Sequence, residues 1–265
     1  MTTSKQSAKS AQSENTMNTK NGNAMNNDQK CIVVLNYLSC GKTTLTDQMF
    51  QPALNAEIVS IETINKDAKQ AKGDVMSAEK FRQTMQKMEF YRDAEEKNVI
   101  VDVGVSNVEL FLTKMKAANA FGDFDFFFVP ITPDVRGLRD SIQLLNDLAT
   151  LYSVPADKIR VIFNKVPDGE VVTELFSPIF KYHKNEGQKF TILPGAVVRE
   201  SAAFPMIGSG QLKQAAESTS DLRAAMKAAK NDDEIAAISD ARAVRRMAPA
   251  LVAELEKVAK ILLAK

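Results

Sequence analysis

Residues 31–49, CIVVLNYLSCGKTTLTDQM, join a run of apolar, mostly β-branched residues directly to Gly-Lys-Thr-Thr and then to a helix-forming stretch. A short run that is apolar at every position reads as a strand buried on both faces, which places it inside a parallel sheet covered by helices. The strand, loop, helix order is the one in which backbone N–H groups of a loop and a helix start converge on an anion. Residues Asn36, Tyr37, Leu38, Ser39, Cys40, Gly41, Lys42, Thr43 and Thr44 are therefore the candidate phosphate loop. In such a loop Lys42 neutralises the β- and γ-phosphates and Thr43 ligates Mg²⁺. The glycine expected five residues before Gly41 is Asn36. Asparagine is among the few non-glycine residues that tolerate positive φ, so Asn36 is expected to take up the glycine's backbone conformation.

The pattern continues along the chain. CIVVL (31–35), EIVSI (57–61), NVIVD (98–102), DFFFV (125–129), RVIFN (160–164) and KFTIL (189–193) read as strands. Between them, apolar residues recur at helical spacing: Phe81, Met85 and Met88; Val108, Phe111, Leu112 and Met115; Leu138, Ile142, Leu145 and Ala149. Asn107 and Asp134 stand where N-caps are wanted. The expected fold class is α/β, a P-loop-type doubly wound and mostly parallel sheet with helices on both faces. Residues 30–210 form this expected domain. Residues 1–29, rich in Ser, Asn, Gln, Thr and Lys, are expected to be disordered. Residues 211–265 read as helices that pack on the domain or on a partner, with breaks near Asn231 and Pro249.

Composition narrows the function. A formal net charge of +1 gives no global attraction to nucleic acid, so such binding needs a local patch. Two cysteines, Cys31 and Cys40, make no disulfide framework and suit a reducing compartment. The lone His183 excludes a histidine-rich metal centre, and no run of 18 apolar residues is present to span a bilayer. A cytoplasmic location is the expectation.

Two further elements fit the loop. NVIVDVGVSN ends a strand on Asp102, whose carboxylate can hold Mg²⁺ through water, while Gly104 can approach the γ-phosphate. VIFNKVPDG places Asn164 and Lys165 at the end of another strand, where the Asn164 amide can meet a purine edge. The fourth position of a guanine-reading NKxD is Pro167, with Asp168 one residue late, which favours adenine over guanine.

These three elements in this order resemble the ParA/MinD class of deviant Walker ATPases, and within it the StbB and TraL-like group of plasmid-stability and conjugation proteins. The resemblance implies an ATP/ADP- and Mg²⁺-binding switch in plasmid partition, plasmid stability or conjugative transfer. It also implies a bacterial, nucleoid- or membrane-associated setting, a nucleotide-dependent homodimer and a DNA-bound partner protein. ILPGAVVRESAAFPMIGSG corresponds to the family's base-flanking loop, which assigns Pro194 to the base. The family's signature lysine, which reaches the partner subunit's nucleotide, falls on Tyr37, and its acidic pair after the second strand falls on Glu62 and Ile64. Binding of phosphate and Mg²⁺ carries over to Lys42, Thr43 and Asp102. Hydrolysis is expected to be slow or partner-dependent, with Glu62 a candidate substitute.

Three smaller expectations remain. Cys40 beside a helix N-terminus reads either as an activated thiol or as a small residue in a tight loop. ARAVRR (241–246) is a basic cluster for non-specific DNA contact or a solvated helix face. Leu251, Leu255, Val258 and Leu262 form a stripe suited to docking on the core, on a second subunit or on a membrane.

Overall fold

The computed structural model describes residues 29–61, 78–208 and 210–264. Strands β1 (Cys31–Val34), β2 (Glu57–Ile61), β3 (Val99–Val103), β4 (Phe126–Ile131), β5 (Ile159–Val166) and β6 (Val197–Arg199) form one sheet in the order β2-β3-β1-β4-β5-β6. Every pairing is parallel. The fold is the expected doubly wound α/β arrangement of the P-loop type. β1 lies between β3 and β4, so the chain winds outward in both directions from β1, and the crevice past its carboxyl end is the topological switch point.

The helices are α1 (Lys42–Leu45), α2 (Gln51–Leu54), α3 (Ala78–Glu89), α4 (Val108–Ala117), α5 (Val135–Asn146) and α6 (Val172–Leu175). They continue with α7 (Ser177–Asn185), α8 (Ala203–Ile207), α9 (Leu212–Glu217), α10 (Leu222–Ala228) and α11 (Asp232–Leu263). A wide π-helical turn, Thr46–Phe50, joins α1 to α2.

Side chains along a strand point alternately to the two faces, and β1 shows why both faces are covered. Cys31 and Val33 join Val101, Phe127 and Val161 in one core with Met88 of α3, Phe111 and Leu112 of α4, and Leu145 of α5. Ile32 and Val34 join Ile100, Phe128 and Ile162 in the other, against Leu45, Met49 and Phe50 and against α11. Asp134 caps α5 as expected, accepting from the Gly137 N–H at 2.7 Å. Asn107 takes the N-cap position of α4 as expected but makes no side-chain cap bond; its amide donates to the Ile61 carbonyl at 3.3 Å and ties the end of β2 to the segment after β3.

Two sequence expectations change here. KFTIL is not a strand: only Thr191 bridges to Arg160, and the strand beside β5 is Val197–Arg199. The Pro194-Gly195 turn, with Gly195 at φ 86°, separates the two stretches. Asn231 does start a helix, accepting from the Glu234 N–H at 2.8 Å, but Pro249 does not end it. A proline costs the bond its N–H would make, yet Val244, Ala248, Leu251 and Leu255 are buried on both sides of it and hold α11 continuous through 32 residues.

Of the three settings expected for the apolar stripe, the structure shows docking on the core. Leu251, Leu255, Val258 and Leu262 are buried on the sheet, so that face is not available to lipid. Arg160 fixes the helix end: its guanidinium lies 3.7 Å from the centre of the Phe126 ring and donates to the carbonyls of Leu262 and Ala264. A cation there satisfies carbonyls that a helix C-terminus leaves open. Among the described residues no helix is long and apolar enough to cross a membrane. Two arginines of the basic cluster are tied within the chain, Arg242 donating to the Leu222 carbonyl at 2.9 Å and Arg245 to that of Ser220 at 2.7 Å, while Arg246 is exposed.

Candidate phosphate-binding site

The loop after β1 runs Leu35 to Gly41 and enters α1 at Lys42. The residue in left-handed conformation is Gly41, with φ 81° and ψ 25°, and not Asn36. A Cβ at position 41 would lie 2.7 Å from the Asn164 amide nitrogen, so glycine is needed both for the backbone angle and for the close approach. Asn36 is buried, and its amide nitrogen donates to the Pro130 carbonyl at 2.7 Å and to the Ser141 hydroxyl at 2.8 Å. It stands at the glycine position as a tie between the loop, the end of β4 and α5.

The loop has a second tie on its other side. Asn164 donates from its amide to the Cys40 carbonyl at 2.7 Å. It is aimed there by a bulge at the end of β5: Phe163 pairs with Val197 and Val166 with Arg199, so β5 carries one extra residue. Lys165 takes up that extra residue at φ 55°. Bulges and left-handed non-glycine residues collect where a strand must re-aim side chains at a site.

Lys42 is 6% exposed and folds back over the loop, donating to the carbonyls of Leu38 at 2.8 Å and Asn36 at 3.3 Å. Thr43 donates from its hydroxyl to Asp102 at 2.7 Å. Val34 pairs with Asp102 across β1 and β3, which explains how a loop residue and a strand residue 59 positions apart meet. A hydroxyl and a carboxylate side by side are hard oxygen donors of the kind Mg²⁺ takes when phosphate and water supply the remainder. The residues present fit that ion: Thr43 and Asp102 would be its protein-side partners, and it would supply charge neutralisation on phosphate.

Beside the loop lies a cavity of about 690 Å³, within the size range of small-molecule sites. Ser39, Gly41, Thr44, Asn164 and Lys165 form one wall. The facing wall is Arg199 to Ala202 together with Phe204 and Pro205 of α8. That wall falls inside ILPGAVVRESAAFPMIGSG, the stretch expected to flank the base, but on its residues after the β-branched pair Val197-Val198 and not on Pro194.

Other assigned residues fall elsewhere. Pro194 is exposed and precedes β6, on a turn whose Gly195 faces Ile261 of α11, away from the loop end of the sheet. The Gly104 N–H donates to the Ile61 carbonyl at 2.9 Å, because the β2–β3 pairing runs past the strand ends, so it does not face the loop. Tyr37 is turned onto its own subunit's α5 side, where its hydroxyl donates to the Asp147 carboxylate at 3.2 Å. Burial first, and Asp147 second, push the Tyr37 phenol well above its ordinary range. Glu62 and Ile64 lie outside the described residues.

Cys40 is buried, and burial pushes its thiol up to about 11 against the opposing pull of Lys42. Of the two expectations for Cys40, burial favours the small residue in a tight loop, since desolvation of a thiolate opposes the helix start and the nearby cation. At pH 8 only about one thiol in a thousand is ionised. We expect Cys40 to react with iodoacetamide far more slowly than a free thiol at pH 8, with a rate that rises only near the unfolding transition. Labelling of the native chain at the free-thiol rate would refute this.

No family model matches the chain, and none of the curated proteins compared with it matches. Among solved structures, a ParA family ATPase from Chlorobium tepidum TLS is similar at 14% identity and a TM-score of 0.48, over 89% of this chain and 98% of that one. The MinD cell division protein of Aquifex aeolicus is similar at 13% identity and a TM-score of 0.43, over 82% of this chain and 96% of that one. The MinC:MinD complex of the same organism is similar at 15% identity and a TM-score of 0.43, over 65% of this chain and 82% of that chain.

Proposed function

We propose that the chain is a nucleotide-dependent switch of the ParA/MinD type that binds ATP or ADP with Mg²⁺. The observation that carries this reading is the meeting of Thr43 with Asp102 at 2.7 Å, beside a loop over which Lys42 is folded. That juxtaposition stands at the end of a central parallel strand, and the neighbouring loop residues Ser39, Gly41 and Thr44 line a cavity of nucleotide size, an arrangement that suits phosphate and magnesium. A triphosphate held here would run its phosphates along Ser39 to Thr44, leaving Phe204 and Pro205 on the lining to meet its base. In the same reading the protein forms a nucleotide-dependent homodimer and works with a DNA-bound partner in plasmid stability or conjugative transfer, in the bacterial cytoplasm. The order of the three motifs along the chain supports that biological setting.

A second reading, a nucleotide-holding scaffold without useful hydrolysis, is favoured by one observation. The residue at the signature-lysine position is a tyrosine bonded to Asp147, which brings no cation to a partner's nucleotide. Both readings require binding. Mg-ATP or Mg-ADP at a hundredfold excess over Kd is expected to stabilise the fold by about 2.7 kcal/mol, read as a rise in Tm, with the rise lost when EDTA removes the metal. No shift with either nucleotide would end both readings. A shift without any turnover, in the presence of DNA and candidate partners, would select the second.

A further inference from the structure

The base-side wall of the cavity includes α8, five residues long, which packs through Ala203, Phe204 and Ile207 into the core shared with α11. Beyond it the chain turns at Gly208, at φ 58° and ψ −123°, in a region essentially only glycine occupies. A separate tie from this side of the cavity to the phosphate side comes from Gln48. It is buried in the π-helical turn that continues α1, and it makes two bonds to the far side of that connection. Its amide nitrogen donates to the Gly210 carbonyl at 2.8 Å, and its amide oxygen accepts from the Leu212 N–H at 2.8 Å. Leu212 opens α9, so the acceptor also satisfies an N–H that has no partner within that helix.

Gln48 stands on the same helical run as Thr43, Thr44 and Leu45, just past the phosphate loop. A π-helical turn carries an extra residue per turn and re-aims the side chains beyond it, a device that recurs near functional sites. Here it turns a glutamine from the phosphate-binding run toward the segment bearing Phe204 and Pro205.

We propose that Gln48 is a positioning residue that sets the spacing between the phosphate half and the base half of the cavity. Seating phosphate on the loop then places the base-side wall, and an occupied base pocket steadies the helix behind the loop. The inference rests on the proposed nucleotide function and deepens it.

The full-length chain tests this with two ligands, Mg-ATP and Mg-tripolyphosphate, the second lacking base and ribose. Gln48→Leu keeps the side chain's size and removes both bonds. The expected result is a Kd for Mg-ATP about tenfold higher, with that for Mg-tripolyphosphate changed less than twofold. Gln48→Glu keeps the acceptor for the Leu212 N–H and should recover part of the loss. Hydrogen exchange gives an independent readout: Mg-ATP should slow exchange across residues 210–217 in the wild type and fail to do so in Gln48→Leu. Equal weakening of both ligands would mean a general loosening of the loop, and no change in either would mean the tie is only structural; each result overturns the inference while leaving nucleotide binding intact. A wild-type chain that binds neither ligand overturns the inference together with the reading beneath it.

Discussion

Asn36→Gly, which installs the residue a phosphate loop ordinarily has at this position, is expected to destabilise the protein by about 2–4 kcal/mol. The Asn36 amide nitrogen is the donor to both the Pro130 carbonyl and the Ser141 hydroxyl, and all of this is buried. Removing it leaves two acceptors in the interior without that donor, and each unsatisfied buried group costs about 1–3 kcal/mol. The glycine brings no compensating relief, because position 36 is not among the residues at positive φ. It adds instead the entropy of a freer unfolded chain. Urea unfolding at unchanged m-value would measure the loss. A variant as stable as the wild type would show that the tie between the loop and α5 contributes nothing. Mg-ATP affinity should fall as well, since the loop loses its hold on α5 while keeping the one to Asn164.

Lys42→Ala is expected to lower Mg-ATP turnover at least a hundredfold, about 2.7 kcal/mol of barrier. Phosphoryl transfer is catalysed by position and charge, and Lys42 is the cation folded over the loop. The unliganded fold should feel the change much less, by about 1 kcal/mol. The ammonium's bonds to two carbonyls are lost, but so is the cost of keeping a charge 6% exposed. The contrast between a large kinetic effect and a small stability effect distinguishes a ligand-facing lysine from a structural one. Turnover that survives the substitution would place the hydrolysis elsewhere or in a contaminant.

Local pattern carries the reading of the central sheet but not of its ties. A strand buried on both faces needs only its own apolar run to be recognised, so β1 to β5 and the helices α3, α4 and α5 are legible. Thr43 and Asp102 are legible as a pair because each ends or follows such a strand. Asn36 reads correctly as part of the loop and wrongly as a substitute for glycine's backbone freedom, since its partners lie 94 and 105 positions away and nothing near it in sequence announces them. Asn164 likewise meets Cys40 across 124 positions through a bulge that no residue type betrays. At β6 propensity prefers the more β-like stretch, KFTIL, to VVR, so the segment that flanks the cavity is found but Pro194 is picked from it in place of the residues after β6. Position beside β5, and not propensity, decides which of the two pairs. Pro249 reads as a stop when its local cost is weighed without the packing that overrides it.

That packing bears on how the chain can be divided. Ending it at residue 210 would look natural, since the last strand is complete and only helices remain. Yet Ile32, Val34, Phe128 and Ile162, the inner face of the very strands that carry the loop, have α11 as their cover. A shortened chain would present that apolar face to water and aggregate, unless another molecule supplied a helix in place of the missing one. The final helix is thus inseparable from the sheet, and any shorter protein built on this plan would have to find its second layer elsewhere.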